Sequence, residues 1–262
     1  MTRYIDRNLL EHMIWRPGEE VPTPKKPAPT PAQRDREIIE GVYTIMPSKS
    51  TYALGVDALR EACNAESNPA HPQFILDDES KIYRPLTFKE NIEARVTDYE
   101  NNKSTEERTR LFKHWNDSCT GVAYKGTTTK FKIVPTCSEL ITIKKDFNGA
   151  GIAVDYDAIE GMELDKTAGK YNAHLTKDEV LANEGWRAAV EGDLELLKTY
   201  RDIVFSELKR TDAMAFCILD KPSQDQLRAL FVNNLDNYSY AYGSNNLNSS
   251  GSFLRVAPVG AP

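Results

Sequence analysis

The sequence predicts an α+β fold, and three observations carry that expectation. Strand-like runs stand at both ends of the expected domain: Ile38–Met46, rich in β-branched residues, and Ser252–Pro258, stopped by its proline. Helices with explicit start signals follow the first run and recur later. Several short strand-like runs lie together instead of alternating one by one with helices, so the order is strand, two helices, a mixed stretch and a β-rich end.

The elements follow in order. Ile38–Met46 is stopped by Pro47 and reads as a strand. Ser50 or Thr51 caps a helix on which Leu54, Ala58, Leu59 and Ala62 share a face. Thr87 and Glu90 form a capping box, each side chain satisfying a free backbone N–H. Phe88, Ile92, Val96 and Tyr99 then recur on one helical face. Gly121–Tyr124, Thr129–Val134 and Leu140–Ile143 read as strands. Thr176 and Glu179 make a second capping box, and Asp193 caps a longer helix bearing Leu194, Leu197, Arg201, Val204 and Phe205. Ala213–Leu219 and Leu227–Val232 read as strands, and Ser252–Pro258 as a terminal one able to pair antiparallel with the first.

A chain of 262 residues holds one large domain or two small ones. Six of its 14 prolines fall between Pro17 and Pro31, which favours extended conformations and bars helix or central strand. Residues 1–34 therefore read as a short amphipathic element, Met1–Trp15, followed by a proline-rich linker or arm. Residues 35–262 form the domain, with an insertion around 120–175. A ligand for a polyproline-binding domain is the other reading of the prolines.

A formal charge of −6 speaks against nucleic acid as partner. No run approaches the ~20 apolar residues of a membrane-spanning helix, so no membrane insertion is expected. Met1–Trp15 does not read as a secretory signal, which points to the cytoplasm or to a virion or surface assembly. Cys63, Cys119, Cys137 and Cys217 show no zinc spacing and read as buried thiols; nothing in the spacing supports the alternative Cys119–Cys137 disulfide. Asp155, Asp157, Glu160, Glu163 and Asp165 read as a solvated acidic loop, because Ile159 and Glu160 break the EF-hand pattern. His114, Asp117, Ser118 and Cys119 are adjacent in sequence, which is not how catalytic triads are built, and Trp115 reads as a core residue. His12, His71 and His174 share no ligand spacing. No metal, no cofactor and no catalytic residue is expected.

One stretch departs from ordinary loop chemistry. Asn233–Ser250 reads NNLDNYSYAYGSNNLNSS, in which 14 of 18 residues are Asn, Asp, Ser or Tyr. Tyr, Ser, Gly and Asn are the palette of antibody binding loops, where Tyr supplies rigid contact area and the small polar residues adaptable hydrogen bonds. The stretch lacks Lys, Glu, Gln, Met and Trp. Randomising both adenines of the asparagine codon AAC reaches every residue present and none of those five. Gly251-Ser252-Phe253-Leu254-Arg255-Val256 follows at once.

In these residues, from about Leu227 to Pro258, the sequence resembles the variable proteins of diversity-generating retroelements, of archaeal or viral type. The resemblance implies a C-type-lectin-like fold with N- and C-terminal strands paired antiparallel, two helices and a β-rich C-terminal variable region. It also implies ligand binding without catalysis. The expected outward set is Asn233, Asn234, Asp236, Asn237, Tyr238, Ser239, Tyr240, Tyr242, Ser244, Asn245, Asn246, Asn248 and Ser249. Tyr238, Tyr240 and Tyr242 lie on one face if the stretch is extended. Leu235, Leu247 and Ala241 point inward, and Gly243 and Gly251 permit turns. The expected partner is a macromolecule, a protein or a cell-surface ligand. Two other readings are a non-diversified structural virion or surface protein and a formylglycine-generating-type oxidoreductase. The second is disfavoured because Cys217 is the only cysteine near the C-terminus.

Overall fold

The computed structural model describes residues 43–46, 48–64, 74–76, 81–102 and 104–256. All belong to the unit Arg36–Pro262. The expected element Met1–Trp15, the proline-rich stretch, residues 38–42 and Pro258 lie outside them.

In chain order the elements are β1 (Tyr43–Met46), α1 (Tyr52–Asn64), β2 (Phe74–Leu76), β3 (Lys81–Tyr83), α2 (Phe88–Asn101) and the single turn α3 (Thr105–Arg108). Then come β4 (Asn116–Tyr124), β5 (Lys130–Val134), the short α4 (Ser138–Ile141), β6 (Ile152–Ala153) and β7 (Met162–Asp165). Next are α5 (Lys177–Ala182), α6 (Glu184–Ala189), α7 (Leu194–Leu208), β8 (Phe216–Cys217), β9 (Gln226–Val232), β10 (Ala241–Tyr242) and β11 (Phe253–Val256).

The first and last strands pair antiparallel, Tyr43 opposite Val256 and Met46 opposite Phe253. The main sheet runs β7-β5-β4-β9-β10-β8, with β6 added to β9 beside Leu227. β4 and β9 are its middle, and β5, β6 and β7 also belong to it, so the residues around 120–175 contribute strands to the sheet on both sides of Val134. Both capping boxes form, at Thr87/Glu90 and Thr176/Glu179, and Asp193 caps α7 through the Leu196 amide.

Alternation along β4 and β9 sends side chains to two cores. On one face Val122, Leu230 and Val232 meet α2, α6 and α7 around Trp186, which is fully buried against Phe88, Tyr200 and Phe216. On the other, Ala123, Leu227 and Ala229 meet α1 and Leu247.

Several expectations change. The buried face of α1 carries Tyr52, Val56, Leu59 and Cys63; Leu54, Ala58 and Ala62 flank it, half-buried. Leu140–Ile143 forms no strand. β5 and β9 already occupy both edges of β4, so the segment packs its apolar side chains as one helical turn in the second core. The acidic run contains a strand, β7, whose Glu163 pairs with Lys130 of β5. Leu194, at the start of α7, is exposed. Ala213–Leu219 keeps only a two-residue ladder. Trp115 is not a core residue; it is 44% exposed. Among the described residues no helix is long and apolar enough to cross a membrane.

Two buried polar groups place the C-terminal segment. Between Asp117 and Gly121, β4 bulges against β9. The bulge is stitched inward: Cys119 donates its thiol to Pro85 O, and Thr120 Oγ1 accepts from the Phe88 amide. The Ser118 hydroxyl goes to Leu230 O, so this polar run is structural and not a catalytic array. Asp117 Oδ2 accepts from the Gly251 amide at 2.8 Å and from the Ser250 hydroxyl at 3.0 Å. Arg95 of α2, fully buried, donates to Asn116 Oδ1, His114 O, Tyr200 Oη, Val232 O, Asn233 O and Ser239 Oγ.

Burial pushes the Asp117 carboxyl up to about 7, against the opposing pull of Ser250 and Gly251. A folded-state value above the unfolded one, about 4, gives stability that is present at acid pH and lost as pH rises through about 7. Wild-type stability should therefore fall between about pH 5 and about pH 8 by an amount that Asp117→Asn lacks. Urea midpoints at the two pH values check this; parallel pH dependence in the two proteins would refute it. Arg95→Met should cost about 3 kcal/mol or more, because it strands buried acceptors on several segments. Urea unfolding measures it, and a loss of under about 1 kcal/mol would mean that those acceptors find other donors.

Candidate functional site

Asn233–Ser250 crosses the C-terminal end of β9, and the fold holds it mainly through its backbone. The Asn233 amide donates to Tyr240 O, and the Met214 amide to Tyr238 O. The amides of Ala241 and Gly243 donate to Ala215 O and Cys217 O. Tyr124 Oη donates to Gly243 O, and Arg228 to Ser244 O. Leu247 donates to Ala150 O and accepts from the Tyr52 amide. None of these bonds requires a particular side chain on the segment.

Local chemistry shapes the first half. Asn234 caps a single 3-10 turn, Leu235–Asn237, through its side-chain oxygen. Tyr238 and Ser239 follow at φ 53° and 55°, in the left-handed region that asparagine and glycine adopt more readily. The stretch is therefore not extended at Tyr238, and the three tyrosines separate into two groups. Tyr238 and Tyr240 pack on each other at 5.8 Å and on His174 at 5.0 and 5.5 Å. Arg210 lies over the Tyr238 ring, and Asp212 faces both Arg210 and His174. Tyr242 stands directly opposite Phe231 across β10 and β9, with ring centroids 5.3 Å apart. Phe231 in turn stacks with Trp115, at 6.3 Å and 20°.

Most of the expected outward set faces solvent at least in part: Asp236, Asn237, Asn246, Asn248 and Ser249 are exposed, and Asn234, Tyr238, Tyr240, Tyr242, Ser244 and Asn245 are half-buried. Two members do not face outward. Asn233 is buried, its carbonyl taken by Arg95. Ser239 is fully buried, with its hydroxyl 2.5 Å from Tyr200 Oη. Ala241 and Leu247 point inward, while Leu235 is half-buried against the first core. Gly243 and Gly251 serve close approach and not turns, since a Cβ would lie 2.7 Å from Val122 Cγ2 and from Trp115 O respectively. Sequence reasoning missed Trp115, His174, Arg210 and Phe231. The last continues a strand pattern, but nothing local marks the other three as neighbours of the segment.

The chemistry on offer is planar and polar. His174 Nε2 meets the Tyr240 hydroxyl, and Asp212 faces His174 Nδ1. Burial pushes that phenol up to about 12, so at neutral pH it is a protonated hydrogen-bonding group. Burial likewise raises the Cys217 thiol to about 11. The acidic run is spent elsewhere: Asp157 on Lys125, Glu163 on Lys130, and Asp165 capping at Thr167. Among the described residues no three His, Cys, Asp or Glu side chains cluster to hold a metal.

No protein-family model and no curated protein matches the chain. One solved structure does, from work on the accommodation of massive sequence variation in Nanoarchaeota by the C-type lectin fold. Its TM-score is 0.57 at 14% identity, over 84% of this chain and 100% of that one. With the paired terminal strands and the sheet covered by helices on both faces, that likeness identifies the fold as C-type-lectin-like.

Proposed function

We propose that this chain is a ligand-binding protein of the diversity-generating retroelement type, with Asn233–Ser250 as its variable recognition segment. One observation carries the reading: the segment is held largely by backbone hydrogen bonds, so many side chains can change without loss of their support. The asparagine from which the codon argument starts also suits the left-handed backbone at Tyr238, where tyrosine is uncommon. The solved structure on the same fold comes from a setting of massive sequence variation.

The binding surface in this reading is Asn234, Asp236, Asn237, Tyr238, Tyr240, Tyr242, Ser244, Asn245, Asn246, Asn248 and Ser249. Asn233, Ser239, Ala241 and Leu247 belong to the support. Recognition rests on tyrosine contact area and on amide and hydroxyl hydrogen bonds, presented by a scaffold that limits ordering cost. The target is a macromolecule, a protein or a cell-surface ligand, and no catalytic step is assigned.

Two measurements test this. Sequencing the gene across its source population should show substitutions concentrated in codons 233–250, beside an adenine-rich near-copy of that stretch and a reverse transcriptase gene. An invariant segment with neither neighbour would leave a fixed structural protein. Within the segment, Tyr242→Ser should cost no more than about 2 kcal/mol, whereas Ser239→Tyr, equally reachable by the codon pattern, should cost over about 3 kcal/mol through overpacking at Tyr200 and Arg95. Chemical denaturation ranks the two, and the reverse order would mean that the support has been misassigned.

A further inference from the structure

The recognition face is not confined to the segment. Among the described residues three large apolar side chains are exposed: Trp115, Met162 and Leu194. Met162 and Leu194 lie on β7 and at the start of α7. Trp115 stands beside the variable segment, because buried Phe231 packs both on it and on Tyr242, a residue of the segment.

Its placement is rigid. Trp115 O accepts from the Ser252 amide at 2.6 Å, and His114 O accepts from Arg95 at 2.6 Å. Asn116 is bridged to both Val232 and Ser252. Gly251 runs so close to Trp115 that any side chain there would strike its carbonyl. These contacts fix the backbone that carries the indole, and Phe231 stacks on the ring at 6.3 Å, so a side chain left 44% exposed carries little ordering cost on binding.

The genetic code supplies a chemical reason for a fixed aromatic here. Tryptophan is among the residues most enriched at binding hot spots, and it is one that the segment's codon pattern cannot produce. A fixed position next to the segment is the only way for such a surface to include it. Asp117, which could accept hydrogen bonds from a sugar's hydroxyls, is buried and already engaged by Ser250 and Gly251. What exposed Trp115 and half-buried Tyr242 offer is aromatic area, backed by buried Phe231.

We propose that Trp115 is an unvarying anchor of the recognition surface, taking an aromatic or proline side chain from a protein partner while the segment around it sets which partner is bound. This rests on the recognition reading above.

The test pans the full-length chain against a phage-displayed random peptide library. The enriched peptides are then synthesised and titrated calorimetrically against wild type, Trp115→Ala, Trp115→Phe and a triple Tyr242→Ser, Asn245→Ser, Asn246→Ser variant, with circular dichroism confirming each fold. The anchor predicts peptides that share an aromatic or proline residue. It also predicts affinity lowered about tenfold or more by Trp115→Ala and largely restored by Trp115→Phe. In a Trp15→Phe background, the peptide should shield the exposed indole from acrylamide quenching while Trp186, already buried, is unaffected. This readout holds even if Trp115→Ala folds poorly.

If Trp115→Ala binds within about twofold of wild type while the triple variant loses the peptides, the anchor is wrong and the recognition reading survives. If both variants bind like wild type, both fail. Trp115-dependent binding to a glycan array with no peptide enriched overturns the protein partner.

Discussion

Arg95 buries its guanidinium completely, with no carboxylate among its hydrogen-bond partners. Burying a cation is costly, and burial lowers its pKa accordingly. The cost is offset by six neutral acceptors drawn from the loop before β4, from β4 itself, from α7, from the end of β9 and from Ser239. Three of those acceptors are main-chain carbonyls. The hub therefore holds the start of the variable segment in a way that does not depend on which side chains the segment displays.

A second tie closes the other end. Asp117, in the β4 bulge, receives Ser250 and Gly251, and the chain then enters β11 to pair with β1. The segment is thus pinned at both ends by polar groups of β4 and α2. Between those ends Ala241 and Leu247 are buried, while the side chains between them reach solvent to varying degrees. Support and display are separated residue by residue, not region by region. That separation is why Ser239 and Tyr240, adjacent and chemically similar as hydrogen-bonding residues, have different places in the structure.

Much of the fold was legible in the chain because its signals are local. The capping boxes at Thr87 and Thr176 and the cap at Asp193 need only a few neighbouring residues, and all three form. The face Phe88, Ile92 and Val96 follows from helical spacing and is buried as expected. The errors arose where the decision was not local. Leu140–Ile143 has strand composition but no free edge to join, and β7 has the composition of a solvated loop but a lysine-bearing neighbour in β5.

By itself, the sequence determined the helix starts at the two capping boxes and at Asp193, the strand-like character of its two ends and the location of the unusual Asn/Ser/Tyr stretch. These depend on periodicity, side-chain-to-backbone reach and composition. Tertiary structure decided which members of that stretch are free. Asn233 and Ser239 are claimed by Arg95 and Tyr200, residues over a hundred and about forty positions away respectively. It also decided that Trp115 is exposed beside Phe231 and that His174 meets Tyr240. Such contacts join distant parts of the chain, and only the closing of the sheet over its two cores brings them together.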